Sequence, residues 1–229
     1  MSESTPPAAA PSTSPSTEQS WVQWLLEQPD PRPALQAFAR QYHYFSLHQV
    51  AAFSRLLSLM PRTDRTALAR FAEVLFEELG GGKVDHVHSV VFEHFAQAIG
   101  VDPRSLPLKA SEVAGGVRWY VCELELAFGG HSLARALATY VFLETAAVAT
   151  YEPLLNTLRQ LKLGEHELEF FRRHSKVEVE HAAVAAELMR RANLDPHEQQ
   201  DFDDQTRLLQ RCWERFWADV WDACREAAA

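Results

Sequence analysis

Glycine is scarce in this chain: nine occur in 229 residues, and four of the nine sit in two places, Gly80-Gly81-Gly82 and Gly100. No run alternates apolar and polar residues with period two, and β-branched residues are sparse, which excludes a fold built from hairpins. Cysteine is nearly absent. Cys122, Cys212 and Cys224 are widely spaced and odd in number. That excludes a disulfide framework and a cysteine metal motif, and it reads as reduced thiols in a cytoplasmic protein. Basic residues are outnumbered, 22 against 31 acidic for a net charge of −9, which argues against a nucleic-acid or anionic-membrane surface. No stretch approaches about eighteen consecutive apolar residues, so no transmembrane span is indicated. Residues 1–20 lack the basic start and apolar core of a signal peptide. Rich in Ser, Pro, Thr and Ala, they read as a disordered tail ahead of one domain over residues 21–229.

What the chain has in abundance is helical periodicity. Apolar residues recur at helical spacing over 33–60, 65–79, 84–99, 106–128, 132–161, 165–193 and 198–227. Thr63 or Asp64 is available to cap one helix, and Asp102-Pro103 and Asp195-Pro196 mark turns between helices. The expectation is an all-α, single-domain bundle of about seven helices. Trp213, Trp217 and Trp221 form an i, i+4, i+8 stripe that reads most simply as a helix sealing the bundle. The alternative use of that stripe is contact with a second copy, a homodimer.

The most informative stretch is His174-Ser-Lys-Val-Glu178-Val-Glu180-His181. A helix advances about 100° per residue, so relative to His174, Glu178 sits near +40° and His181 near −20°. Two imidazoles and a carboxylate thus share one stripe, a donor set suited to Fe, Mn or Zn. Glu180 falls about 120° away and faces solvent. Further ligands require inward-facing acids and histidines on other helices. Glu144 is the only charged residue between Arg135 and Glu152, and an isolated carboxylate on so apolar a helix is costly to bury without a partner. A second source is the triple-glycine break, where an acid ending one helix can meet a histidine opening the next. His88 shares a stripe with Phe92 and Phe95 and therefore faces the core, whereas His86 and His94 are rotated to the surface. Glu78 is preferred to Glu77 because Phe71, Leu75 and Leu79 share its neighbourhood.

The segment Glu77-Glu78-Leu79-Gly80-x-Gly82, followed ten residues after Glu78 by His88, resembles the Glu-Leu-Gly-x-Gly…His signature of the haem-oxygenase-like diiron oxidases and oxygenases. These are iron-containing redox enzymes, relatives of the TenA/PqqC helical fold. Glu144 and the run His174, Glu178, His181 complete that pattern in order, and the resemblance covers about residues 30 to 225. It implies a haem-oxygenase-like fold with two irons held by Glu78, His88, Glu144, His174, Glu178 and His181, with Glu144 the bridging carboxylate. The acid of the last motif is often Asp in that family and is Glu178 here. Some members draw a further acid from an earlier core helix; the matching stretch around residues 49–52 offers none, only Gln49 and the adjacent His48.

Such a site implies O₂ as cosubstrate, an external electron donor and a small-molecule substrate: an organic acid, amino acid or amine oxidised by C–C or C–H cleavage or N-oxygenation. Phe92, Phe95, Tyr140 and Tyr151 are candidates for the pocket walls, with core packing as their ordinary alternative. A substrate carboxylate would need a cation, for which Arg118, Arg135, Arg172 and Arg173 are the candidates. Two other functions compete. A metal-free TenA/PqqC-like enzyme would need a nucleophilic cysteine, and Cys122, the only mid-chain cysteine, lies beside Glu123 and Glu125, acids that do not activate a thiol. A non-catalytic helical binding protein would make the histidines incidental.

Overall fold

Three helices start on side chains placed just ahead of them. Asp64 accepts from the Ala67 N–H at 3.0 Å, Ser132 from the Arg135 N–H at 3.3 Å, and Asp195 from the His197 and Glu198 N–H groups at 2.8 and 2.9 Å. Each satisfies backbone donors that a helix leaves open at its first turn. The structure, a computed structural model, describes the backbone of residues 17–229 and the side chains of residues 21–229. Among these residues there is no strand. There are nine α-helices: α1 Thr17–Leu26, α2 Arg32–Phe53, α3 Leu56–Leu59, α4 Arg65–Glu78, α5 His88–Ala98, α6 Gly115–Gly129, α7 Leu133–Gln160, α8 Glu169–Ala192 and α9 Pro196–Ala228.

The all-α expectation holds, with several boundaries corrected. Residues 33–60 divide at Ser54 and Arg55, where the bonds tighten to Arg55 N–H on Ala52 and Leu57 N–H on Ser54. The helix expected from residue 84 begins at His88, after 3-10 turns at Gly80–Gly82 and Val84–His86. The largest miss is 106–128, since α6 starts only at Gly115. Before it, Asp102 caps the Arg104 N–H and Glu112 binds the N–H groups of Leu108 and Lys109, while Pro107 offers no donor to a helix. Near residue 165 the chain is still turning, with Lys162 at φ 60°, and α8 begins at Glu169. The expected tail ends earlier than residue 20, because α1 starts at Thr17; the rest of it, 1–16, lies outside the described residues.

α7 runs through the middle of the bundle and packs on α8, α9 and α6, while α2 lies against α5, α6 and α9. It is the one described helix long and apolar enough to cross a bilayer, but half of that stretch is buried within the protein and it carries Glu144 in the core. The tryptophan stripe seals the bundle. Trp217 is fully buried and stacks at 6.2 Å on Phe38, while Trp213 and Trp221 pack half-buried against the core. Burying each such aromatic stabilises the fold by about 1.5–3 kcal/mol. α6 meets α9 at Gly116, where a Cβ would lie 2.5 Å from the Arg215 carbonyl oxygen. The Gly116 N–H donates to the buried Asp219 at 2.6 Å.

Candidate metal centre

Glu78 closes α4 and His88 opens α5, and the turn between them depends on glycine. Gly80, Gly81 and Gly82 all have positive φ, at 77°, 62° and 81°, a region that disfavours side chains. At Gly80 a Cβ would also lie 2.7 Å from the backbone carbon of His86 and the nitrogen of Val87. The chain therefore folds back over Gly80, bringing Glu78 Oε2 to 2.8 Å from His88 Nδ1. Arg173 on α8 ties this turn down by donating to the carbonyl oxygens of His86 and Glu77 at 2.9 and 3.3 Å.

α8 presents His174, Glu178 and His181 on one buried face, as their spacing predicts, and Glu180 is exposed. α7 adds Glu144. The six residues singled out by sequence are all 1–6 % exposed and come together. Their donor atoms form two triads, Glu78–His88–His174 and Glu78–Glu178–His181, each with atoms within 4.8 Å of one another. Glu78 is therefore the carboxylate common to both, a position that sequence had given to Glu144. Glu144 stands beside the second triad, its Oε2 3.8 Å from His181 Nδ1.

Each imidazole turns one nitrogen inward and has the other held from outside. His174 Nδ1 is placed to donate to the Phe170 carbonyl at 2.6 Å, leaving Nε2 2.8 Å from His88 Nδ1. His181 Nε2 lies 3.0 Å from Glu77 Oε2, and its Nδ1 faces Glu78 at 3.4 Å and Glu178 at 3.6 Å. His88 Nε2 lies 3.2 Å from the Gln49 amide nitrogen. His48, the sequence candidate for an added ligand, is half-buried and turned away; its ring packs on Tyr44 and its Nδ1 is 3.9 Å from Glu125. The next residue along α2, Gln49, is the one that reaches the centre. Neither Gln49 nor Glu77 was identified as a partner of the histidines, and only the absence of an acid near residue 49 hinted at the former.

The cluster is electrostatically loaded. Burial pushes the Glu178 carboxyl up, reinforced by the charge of Glu78, to about 8. Burial and the charge of Glu178 raise Glu144 well above the carboxylate range. Glu78 is also penalised by burial, but the charge of His88 beside it, with His174 and His181 beyond, outweighs it and holds the group at about 2. Burial, then the neighbouring His88, lowers His174 to about 3. Glu78 Oε2 and His181 Nδ1 are buried yet make no aligned hydrogen bond, despite their close neighbours. Converging lone pairs of this kind fit metal cations: three carboxylates would offset most of the charge of two divalent ions, and three imidazoles complete an N/O donor set suited to iron.

Two clefts reach the cluster. One, a narrow cleft with only about 20 Å³ of free space, is lined by aromatic and hydroxyl side chains together with Gln49, Glu78, Glu144 and Glu178. The other, with about 170 Å³ of free space, is polar and brings Glu77, His86, Arg173 and Val177 around Glu78, His88, His174 and His181. Of the expected wall residues, Tyr151 lines the first cleft. Phe92 and Phe95 instead pack on Phe170 and Phe171, and Tyr140 packs on Phe53 and Phe71, because the core claims their faces. The arginine candidates are engaged elsewhere. Arg118 binds the Ala110 and Val113 carbonyls, Arg135 binds Gln205 and Arg172 binds Glu169; Arg173 alone reaches a cleft, the second.

The sequence model of the iron-containing redox enzymes matches residues 36–219. No curated protein matches the chain. Among solved structures, a domain of unknown function with a heme oxygenase-like fold from Shewanella denitrificans is similar at TM-score 0.72 and 14% identity, over 88% of this chain and 83% of that one. A CADD-like protein of unknown function from Nostoc punctiforme is similar at TM-score 0.70 and 15% identity, over 93% of this chain and 90% of that one. The fold is thus haem-oxygenase-like.

Proposed function

The chain belongs to the iron-containing redox enzyme family, and on that premise we propose that it is a cytoplasmic, non-haem diiron oxidase or oxygenase. It activates O₂ and oxidises a small organic acid, amino acid or amine, by C–C or C–H cleavage or N-oxygenation, with an external electron donor. The observation that carries this reading is Glu78, one buried carboxylate shared by two donor triads. Glu78, His88 and His174 would hold one iron; Glu78, Glu178 and His181, with Glu144 beside them, would hold the other.

Two ferrous ions held by this ligand set would supply electrons for the reduction of O₂. The chain's own residues do the rest. Helix α8 fixes three donors on one rigid face, so the site needs little rearrangement on loading. Phe170, through its carbonyl, and Glu77 keep protons on the outward nitrogens of His174 and His181, leaving the inward nitrogens as lone-pair donors. Tyr151 and Phe170, packed on the His174 ring at 5.3 and 4.2 Å, keep water from that side. Cys122 is exposed on α6, away from both clefts, so nothing here supplies the nucleophile of a TenA-like hydrolase.

The test is stopped-flow absorbance of the Fe(II)-loaded protein mixed with O₂ and a panel of amino acids, fatty acids and amines. The proposal expects at least one class to accelerate oxidation of the ferrous centre and to be consumed. If none does, and O₂ alone modifies the protein's own side chains, the external-substrate reading fails.

A further inference from the structure

The two clefts admit different guests. The first has room for about one water molecule, a partner suited to the buried, unpaired hydroxyls of Tyr120 and Thr150 that line it. The second has about 170 Å³ of free space and opens directly on Glu78, His88, His174 and His181. A cavity of about 150 Å³ holds benzene, so the second cleft admits a molecule of about six non-hydrogen atoms beside the metal centre.

Arg173 sets the charge of that cleft. It stands one turn from Val177 on α8, so the two share one side of the ligand stripe and both line the cleft. Its guanidinium donates to the carbonyls of His86 and Glu77 at 2.9 and 3.3 Å, and its remaining N–H groups have no protein partner. The adjacent Arg172 is paired with Glu169, but among the described residues no carboxylate pairs with Arg173. With two divalent ions in place, the buried Glu78, Glu144 and Glu178 offset most of the metal charge and Glu77 offsets the rest. Arg173 then leaves the cleft net positive, a charge that a monoanion cancels and an ammonium would worsen.

We propose that the second cleft binds the substrate, that this is a small carboxylate of about six non-hydrogen atoms, and that the Arg173 guanidinium holds its anionic group while its carbon chain lies along Val177 beside the metal centre. The inference rests on reading the buried cluster as an iron centre. It narrows that reading to short acids, and it excludes simple amines and long-chain fatty acids.

Isothermal titration of anaerobic Fe(II)-loaded protein with butyrate, butyramide, butylammonium and decanoate tests it. Butyrate is expected to bind at least about ten-fold tighter than each of the other three. Arg173→Gln should weaken butyrate by about 10- to 100-fold and leave butyramide within about three-fold. Arg173→Lys, which keeps the charge but loses the planar fork, should weaken butyrate by about three- to ten-fold, so it decides the matter even where the glutamine variant loses its iron. A carboxylate held by the metals alone would bind both variants as tightly as wild type, and a merely structural Arg173 would lose butyrate and butyramide alike. Either result overturns the proposal, as does wild-type protein that binds butyrate no tighter than butyramide or decanoate. Wild-type protein that takes up no iron contradicts the metal reading and this inference with it; iron uptake without an Arg173-dependent preference contradicts this inference alone.

Discussion

Glu77 Oε2 lies 3.0 Å from Nε2 of His181, while the other ring nitrogen faces the buried carboxylates of Glu78, Glu178 and Glu144 at 3.4 to 3.8 Å. Glu77 is 44 % exposed at its side chain and Glu78 only 5 %, so adjacent acids serve opposite sides of one imidazole. A carboxylate behind a ligating histidine fixes the ring's tautomer and orientation and raises its basicity.

Glu77→Ala is therefore expected to weaken iron binding by about 10- to 100-fold without removing a ligand. Glu77→Gln, whose amide oxygen can still accept from Nε2–H, should recover most of that loss. Competition with a chromophoric chelator measures both. Equal affinity in wild type and Glu77→Ala would show that the contact does not act on the metal.

Glu178 and Glu180 separate ligand from surface. Glu178→Gln should impair iron binding and O₂ reactivity, while Glu180→Gln, at an exposed position, should shift stability by less than about 0.5 kcal/mol and leave iron content alone. Elemental analysis and thermal melts read the pair. Equal losses would mean that the α8 register is not the one described.

Metal uptake should depend on pH in a definite direction. Glu178 is raised to about 8 and Glu144 well above the carboxylate range, so a cation must displace protons and binds more tightly as pH rises toward 8. In metal-free protein the same raised carboxyls act oppositely on folding. Their contribution is fully present below the ordinary value of 4.5 and is lost as pH climbs through about 8, because the unfolded chain ionises first. The gap in Tm between loaded and metal-free protein should widen from about pH 6 to about pH 8. A gap that narrows over this window contradicts the assignment.

Gly80→Ala tests the turn. With φ at 77° and a Cβ 2.7 Å from the backbone at residues 86 and 87, alanine should destabilise the protein by about 1–3 kcal/mol and separate Glu78 from His88. A calorimetric Tm and iron content equal to wild type would show that the turn relaxes freely.

Much of this site was legible in the sequence because helical spacing is a geometric constraint. The stripe of His174, Glu178 and His181 follows from about 100° per residue, and the isolation of Glu144 on an apolar helix already required a buried partner. The Glu78–His88 pairing was legible from an acid ending one helix and a core-facing histidine opening the next, and again from the resemblance of the glycine turn, although periodicity says nothing about the three positive φ values that fold the chain back there. Three features were out of reach. The shared role of Glu78 depends on distances between helices. The choice of Gln49 over His48 depends on the rotation of α2 within the bundle. The turns at 103–112 are set by the side chains of Asp102 and Glu112 bonding locally, which overrides the apolar spacing that resembled a helix.

The central claim, that two triads sharing Glu78 hold two irons, is tested most directly by iron content with Mössbauer spectroscopy on protein reconstituted anaerobically with Fe(II). The account predicts about two high-spin irons per chain, with His174→Ala, His181→Ala and Glu144→Ala each losing at least one. Glu78→Ala should lose both. Iron content in the wild type no higher than in protein lacking Glu78 would contradict it.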